Sequence, residues 1–198
     1  DYFEERENAY IVMEFVQGIS LRQYLESRNQ PMSFTEAWNF LLPVMEALEK
    51  VHQNKLIHRD ISPDNFIIKE DGSIKLLDFG SAREYAEEKT MTVLVKKGYA
   101  PPEQYSRKGK QGPWTDIYSI CATLYEMITG VIPQPAMERL KADKLYLPSS
   151  YGCDITPLQE KILMKGLALD YKKRYKDIAE LKNSFFPEKQ ERQKKNKK

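Results

Sequence analysis

Two carboxylates and an amide follow one another along the sequence in an order that suits metal-assisted chemistry. Asp60 and Asn65 are five residues apart in the loop 58–65, and Asp78 follows Asn65 by thirteen residues. The Asp60 carboxylate can accept a proton from an attacking hydroxyl, while the Asn65 amide oxygen and the Asp78 carboxylate can hold a divalent cation between phosphate oxygens. Gly80 frees the backbone to turn sharply. This set suits phosphoryl transfer, which depends on positioning and charge neutralisation.

Each of these residues has a simpler interpretation when it is taken alone. A single aspartate such as Asp60 is more often a surface or capping carboxylate, Asn65 could only hold a turn, and Asp-Phe-Gly at 78–80 recurs by chance in many proteins. The ordered set is specific because short strands flank it on both sides.

Short strands and longer helices must position the set. Strands are predicted at 56–57, 66–68 and 74–76, and the turn 70–72 makes the last two a hairpin that returns Asp78 toward Asp60. A buried strand is predicted at 10–16. Helices are predicted from their caps and apolar spacing at 20–28, 34–52, 115–129, from 156 onward and at 176–185. The polar stretch of about twenty residues after Gly80 has no clear period, which is typical of a functional loop.

Size and charge narrow the class of protein. The chain has 198 residues, 41% of them hydrophobic and 30% charged, which is enough for one folded domain. The net charge is only +2 and the positive residues concentrate in 187–198, so nothing indicates a nucleic-acid partner. Cys121 and Cys153 cannot build a disulfide framework, and no apolar run reaches the roughly 18 residues that cross a bilayer. We expect a cytoplasmic protein, or the cytoplasmic part of a longer membrane-anchored one, of which this chain is a fragment.

From Tyr10 to about Phe185 the sequence resembles the protein kinase family, specifically its bacterial serine/threonine branch. The loop His58-Arg59-Asp60 with Asn65, followed by Asp78-Phe79-Gly80, carries the resemblance. It implies a mainly α fold with short β hairpins (α+β), equivalent to the large C-terminal lobe of a kinase. Residues 1–17 would be the last strands of the small lobe and the hinge, 18–186 the large lobe, and 187–198 a disordered basic tail.

The resemblance also assigns roles in binding ATP and Mg²⁺. Asp60 would be the catalytic base, and Asn65 and Asp78 the magnesium ligands. The nucleotide would meet the gatekeeper Met13, the hinge backbone from Glu14 to Val16, Ser20 near the ribose and Ile67 beneath the adenine. His58 and Phe79 would connect the site to Asp116, and Arg59 would sense a phosphate on the activation segment.

That activation segment would run from Asp78 to Glu103 and end in Pro-Pro-Glu, which resembles the Ala-Pro-Glu of the family. Thr90 and Thr92 are its candidate phosphorylation sites. By the same resemblance, Glu103 would form a buried ion pair with Arg174. The alternative is that these two charges lie on separate surfaces.

The sequence departs from the family pattern beside the catalytic aspartate. Serine/threonine kinases usually carry a lysine two residues after it, where this chain has Ser62, and the arginine that tyrosine kinases carry is replaced by Asp64. Aligned on Gly98-Tyr99, the threonine that usually faces that lysine is Lys96. We hypothesise that the two positions have exchanged roles, so that Lys96 reaches the site and bonds Ser62. The alternative, an exposed loop cation at Lys96, stays open.

The larger departure from the family pattern lies before Tyr10. No Gly-rich loop or strand lysine precedes Tyr10, although a complete kinase uses both to hold ATP. We expect this chain alone to be inactive, and its exposed strand 10–16 to favour a homodimer or a domain swap. The parent protein would phosphorylate protein Ser or Thr residues. A kinase-like scaffold that binds protein partners is the alternative, and a small-molecule kinase is a third, disfavoured by the long activation segment.

Overall fold

Two long helices form the centre of the structure, a computed structural model that describes residues 2–5, 8–12, 14–77, 83–84, 95–106 and 108–185. Helix α2 (Phe34–Gln53) packs against α3 (Pro113–Thr129). Every residue of α3 from 115 to 129 is buried, as expected for a helix that is surrounded by other elements. Two of its buried threonine hydroxyl groups bond to backbone carbonyls within the helix: Thr123 Oγ1 donates to Ser119 O at 2.9 Å, and Thr129 Oγ1 donates to Tyr125 O at 2.7 Å.

Smaller helices surround this pair. Helix α1 (Leu21–Ser27) is capped by Ser20, whereas α4 (Ala136–Arg139), α5 (Pro157–Gly166) and α6 (Ile178–Phe185) follow α3 in the sequence. Trp38 of α2 contacts Phe185 of α6, with ring centroids 4.5 Å apart. Helix α5 lies so close to α3 that a Cβ placed on Gly166 would be 2.2 Å from the Cys121 sulfur. A side chain at residue 166 would therefore displace the Cys121 side chain or separate the two helices.

The strands are short, and all of their pairings are antiparallel. They are β1 (Tyr2–Glu5), β2 (Asn8–Ile11), β3 (Ile19–Ser20), β4 (Leu56–Ile57), β5 (Phe66–Ile68), β6 (Ile74–Leu76) and β7 (Arg83–Glu84). Strand β1 pairs with β2, β4 pairs with β7, and the third sheet has the order β3-β5-β6. The predicted class, mainly α with short β hairpins, is confirmed, as is the hairpin between β5 and β6.

The strand predicted at 10–16 is placed differently. Strand β2 ends at Ile11, and residues 14–17 have no strand conformation. The prediction of burial is wrong for Phe15, whose side chain is 88% exposed. The apolar and aromatic residues of 10–16 favour a buried strand, but no described helix or strand covers the side chain of Phe15. No helix among the described residues is both long and apolar enough to span a membrane.

Candidate active site

Loop 58–65 is held by the buried carboxylate of Asp116, in the first turn of α3. Asp116 Oδ2 accepts a hydrogen bond from the His58 backbone at 2.8 Å, and Oδ1 accepts one from the Arg59 backbone at 2.9 Å. Arg59 has a φ of +72°, a left-handed conformation that costs a non-glycine residue about 1–3 kcal/mol unless its surroundings impose it. Sequence analysis missed a third partner, His52, whose Nε2 lies 2.8 Å from Asp116 Oδ2. Only its position in the last turn of α2 had been predicted.

The buried ring of His58 connects this loop to the end of β6. Its Nδ1 accepts a hydrogen bond from the Asp60 backbone at 3.3 Å, so Nε2 carries the proton that is donated to Leu77 O at 3.1 Å. Leu77 precedes Asp78, one of the predicted magnesium ligands. Asp78 itself lies outside the described residues. His58 thus links the segment that carries Asp60 to the segment that leads to Asp78.

Asp60 and Asn65 are in direct contact. Asn65 Nδ2 donates to the Asp60 carbonyl at 2.7 Å and to the Asp60 carboxylate at 2.9 Å. Because both bonds use Nδ2, the amide oxygen of Asn65, the atom that Mg²⁺ prefers, is not used by them. No group of three or more His, Cys, Asp or Glu residues in the described part of the chain could hold a metal ion. Magnesium binding through Asn65 and Asp78 therefore stays a prediction.

Lys96 reaches this site from the segment before Gly98. Its Nζ donates to the buried Ser62 Oγ at 2.9 Å and lies 3.6 Å from Asp60 Oδ1. Ser62 Oγ in turn donates to Asp64 Oδ2 at 3.3 Å. The contact that the exchange hypothesis requires is present, since one ammonium group approaches both the carboxylate of Asp60 and the hydroxyl of Ser62. Its role in catalysis stays a prediction.

A second polar cluster, which sequence analysis did not predict, supports the segment that carries Lys96. Arg22 of α1 binds both Glu126 of α3 and the Tyr99 hydroxyl, and its Nε lies 3.7 Å from Asp64 Oδ1. Burial, together with the hydrogen bond to Glu126, raises the pKa of Tyr99, so this hydroxyl is neutral in the folded protein. Tyr99 N donates to Lys96 O at 3.1 Å. The cluster therefore fixes the backbone from which Lys96 extends.

The predicted nucleotide-binding residues Ser20 and Ile67 are brought together as partners across β3 and β5. Ser20 Oγ also caps α1, accepting from the Gln23 backbone at 3.1 Å. Gly18 allows the close approach of these strands. It has a φ of +155°, and a Cβ there would lie 2.2 Å from the Ile68 carbonyl oxygen.

The other residues predicted to meet the nucleotide are less constrained. The side chain of Glu14 forms an ion pair with Lys75, which lowers the pKa of Glu14, and Val16 is half-buried. Met13 lies outside the described residues, as do Phe79, Gly80, Thr90 and Thr92. The gatekeeper and the phosphorylation sites therefore stay predictions.

Glu103 and Arg174 form the predicted pair in two parallel hydrogen bonds, of 2.6 and 3.1 Å. Both side chains are buried, and Thr115 Oγ1 donates to Glu103 Oε1 at 3.1 Å. Arg174 also donates to backbone carbonyls, including that of Trp114 at 3.1 Å. This pairing anchors the turn from Pro102 to Tyr105 to the helical part of the structure.

Comparisons with known proteins agree with this architecture. The pattern that describes the protein kinase domain matches residues 1–181. The chain is 33% identical over 190 residues to the probable serine/threonine-protein kinase PknB of Lactococcus lactis, covering 91% of this chain and 30% of that protein. It is 34% identical over 201 residues to the serine/threonine-protein kinase PrkC of Bacillus subtilis, covering 93% and 30%. The solved structure titled "PpkA-294 apo form" superposes with a TM-score of 0.76 at 30% identity, covering 93% of this chain and 66% of that one.

Proposed function

This chain belongs to the protein kinase family, and on that premise we propose that it carries the catalytic loop of an ATP-dependent kinase that phosphorylates Ser or Thr residues of other proteins. Its similar relatives PknB and PrkC are named as serine/threonine-protein kinases. The chain spans 30% of the length of each, so the activity of the whole protein is part of the proposal.

The observation that supports this proposal best is the arrangement around Asp60. Its carboxylate accepts a hydrogen bond from Asn65 at 2.9 Å and has the Lys96 ammonium at 3.6 Å. A carboxylate held in this way can accept the proton of a substrate hydroxyl, while the adjacent cation stabilises negative charge on the phosphoryl group as it transfers. Asp60 acts as the base, Ser62 orients Lys96, and Asn65 orients Asp60.

The residues that would hold the nucleotide and its metal complete the proposal. Asn65 and Asp78 would bind Mg²⁺, which neutralises phosphate charge when it is present. The hinge backbone from Glu14 to Val16 would bind the adenine of ATP, with Ile67 beneath it. Because residues 1–9 contain no lysine and no Gly-rich loop, we propose that residues 1–198 alone bind Mg-ATP weakly and transfer little phosphate. A homodimer through residues 10–16 and a cytoplasmic location are part of the same proposal.

One observation favours a second candidate, a kinase-like scaffold that binds protein partners. Ser62 stands where the serine/threonine kinases of the family carry a lysine, and a scaffold does not need that cation. Lys96 supports catalysis instead, because its Nζ lies 2.9 Å from the Ser62 hydroxyl and so brings a cation back to the same place.

The test measures transfer of the γ-phosphoryl group of ATP to a protein substrate, first by residues 1–198 and then by a form extended to include a complete nucleotide-binding lobe. We expect activity in the extended form and a loss of about 10²–10⁴-fold in its Asp60→Asn variant, which keeps the size of the side chain but removes the base. The exposed Asp154→Asn is the matched control and should match the parent. An extended form that binds partners but transfers no phosphate would support the scaffold instead.

A further inference from the structure

The backbone of Arg59 is held at both ends. Its N–H, which belongs to the preceding peptide group, donates to Asp116 Oδ1 at 2.9 Å. Its carbonyl, which belongs to the peptide group between Arg59 and Asp60, accepts a hydrogen bond of 2.7 Å from Gln104 Nε2. Since Arg59 has a φ of +72°, the loop would leave this conformation if neither end were held.

Gln104 is well placed to hold a backbone group, because its own position is fixed. It lies in the turn from Pro102 to Tyr105, directly after Glu103, which is paired with the buried Arg174. Gln104 is itself buried, and its amide oxygen has no hydrogen-bond partner among the described residues. Burying an unpaired amide oxygen is unfavourable, so an apolar side chain would serve packing alone better than glutamine does.

The orientation of the Arg59 carbonyl determines the orientation of the next residue. A peptide group is planar, so the Arg59 carbonyl and the Asp60 N–H point in opposite directions within one rigid plane. When Gln104 fixes the carbonyl, it therefore also fixes the Asp60 N–H, which donates to His58 Nδ1 at 3.3 Å. The direction in which the Asp60 side chain leaves the backbone depends on this plane.

We propose that Gln104 is a positioning residue, which holds the Arg59–Asp60 peptide plane and so aims the Asp60 carboxylate at the substrate hydroxyl. This inference rests on the proposed role of Asp60 as the base. It connects the turn at the end of the activation segment to the loop 58–65 through one hydrogen bond. A change in that turn therefore alters the geometry of the base.

Two variants of nearly equal size separate positioning from packing. Gln104→Met removes the donor and cannot ionise. Gln104→Glu can donate to the Arg59 carbonyl only while its carboxyl is protonated, and burial raises the pKa of such a carboxyl. We measure kcat and KM from about pH 5.5 to about pH 8.5 in a form of the protein that phosphorylates a substrate.

We expect Gln104→Met to lower kcat at least about tenfold at every pH, with the KM for ATP unchanged. Relative to the parent, kcat of Gln104→Glu should be highest at low pH and should fall as the pH rises and the carboxyl loses its proton. The proposal is overturned if kcat of both variants stays within about twofold of that of the parent. It is also overturned if kcat of Gln104→Glu, relative to the parent, is as independent of pH as the relative kcat of Gln104→Met.

A second measurement does not depend on kinase activity. In residues 1–198, amide hydrogen exchange at Asp60 should be at least about tenfold faster in Gln104→Met than in the parent, while exchange in α6 is unchanged. Unchanged exchange at Asp60 would show that Gln104 does not hold the Arg59–Asp60 peptide plane. Faster exchange, combined with an extended form of the protein that transfers no phosphate, would retain this role of Gln104 and reject the proposed function, so the two failures are distinguishable.

Discussion

The carboxylate of Asp116 accepts a hydrogen bond from the backbone N–H of Arg59 at 2.9 Å, although the two residues are 57 positions apart in the sequence. The same carboxylate also accepts hydrogen bonds from the His58 backbone and from His52. One buried charge at the start of α3 therefore supports the whole turn that precedes Asp60. Helix α3 thus positions the loop that carries the candidate site.

Replacing this carboxylate by an amide should destabilise the protein. Asp116→Asn keeps the shape of the side chain, but it turns an NH₂ group toward backbone N–H donors and leaves one of them unpaired in the core. We expect a loss of about 2–4 kcal/mol in the free energy of unfolding, measured by urea denaturation. The exposed Asp154→Asn is the matched control and should change it by less than about 0.5 kcal/mol. A loss below about 1 kcal/mol for Asp116→Asn would show that water replaces these bonds easily.

Elements with strong local signals could be predicted from the sequence. Thr156 caps α5 through the Gln159 N–H, with proline as the first helical residue, and the glycine-containing turn 70–72 joins β5 to β6. These features depend on residues within a few positions of one another. Predictions that needed a distant neighbour were less accurate: a buried strand is predicted at 10–16, but β2 ends at Ile11 and Phe15 is 88% exposed.

In the candidate site, too, the local pattern of residue types indicated only residues that are close in sequence. The order of Asp60, Asn65 and Asp78 in the sequence indicated the chemistry, because catalytic residues of one loop are close in sequence. In contrast, His52 and Arg22 bond to partners 64 and 104 residues away, and no local pattern marks them. Such contacts depend on how the helices pack, and that packing is determined by the whole core.

Gly18 should tolerate a methyl group much less well than Gly72 does. Both have positive φ, but a Cβ at Gly18 would lie 2.2 Å from the Ile68 carbonyl oxygen, whereas a Cβ at Gly72 would have no heavy atom within 4 Å apart from its neighbours in the chain. Gly72→Ala should therefore lose only the backbone contribution, about 1–2 kcal/mol, and serves as the matched control. For Gly18→Ala we expect at least about 1–3 kcal/mol more, because β3 must move away from β5. Equal losses in thermal or urea unfolding would contradict the close approach of these strands.

The Cys121 thiol should make the folded state sensitive to alkali. Burial raises its pKa to about 12 from the ordinary value of 9.0. The folded protein therefore keeps the proton at a pH where the unfolded chain releases it. This contribution to stability is complete below pH 9.0 and is lost as the pH rises toward about 12, at about 1.4 kcal/mol per pH unit.

Comparing Cys121→Ala with the parent isolates most of this contribution, since the tyrosines with raised pKa values add a similar alkaline loss to both proteins. The exception is Tyr175, whose pKa is raised mainly by burial and in part by Cys121. We expect the variant to be less stable near neutral pH, because it leaves a small cavity between α3 and α5. The difference between the two proteins should shrink as the pH rises above 9.0. Urea denaturation at several pH values provides the measurement, and a difference that is constant with pH would contradict the prediction.

The exchange of roles between Lys96 and Ser62 predicts a specific rescue. In a form of the protein that phosphorylates a substrate, Lys96→Ala should lower kcat at least about tenfold, equivalent to about 1.4 kcal/mol of barrier, because the cation beside Asp60 is lost. The exposed neighbour Lys97→Ala is the matched control and should stay within about twofold. The double variant Lys96→Thr with Ser62→Lys returns the cation from the loop side, and we expect it to recover most of the lost rate. Steady-state kinetics decides between the two interpretations: if Lys96→Ala lowers the rate less than about tenfold, Lys96 is an ordinary loop cation.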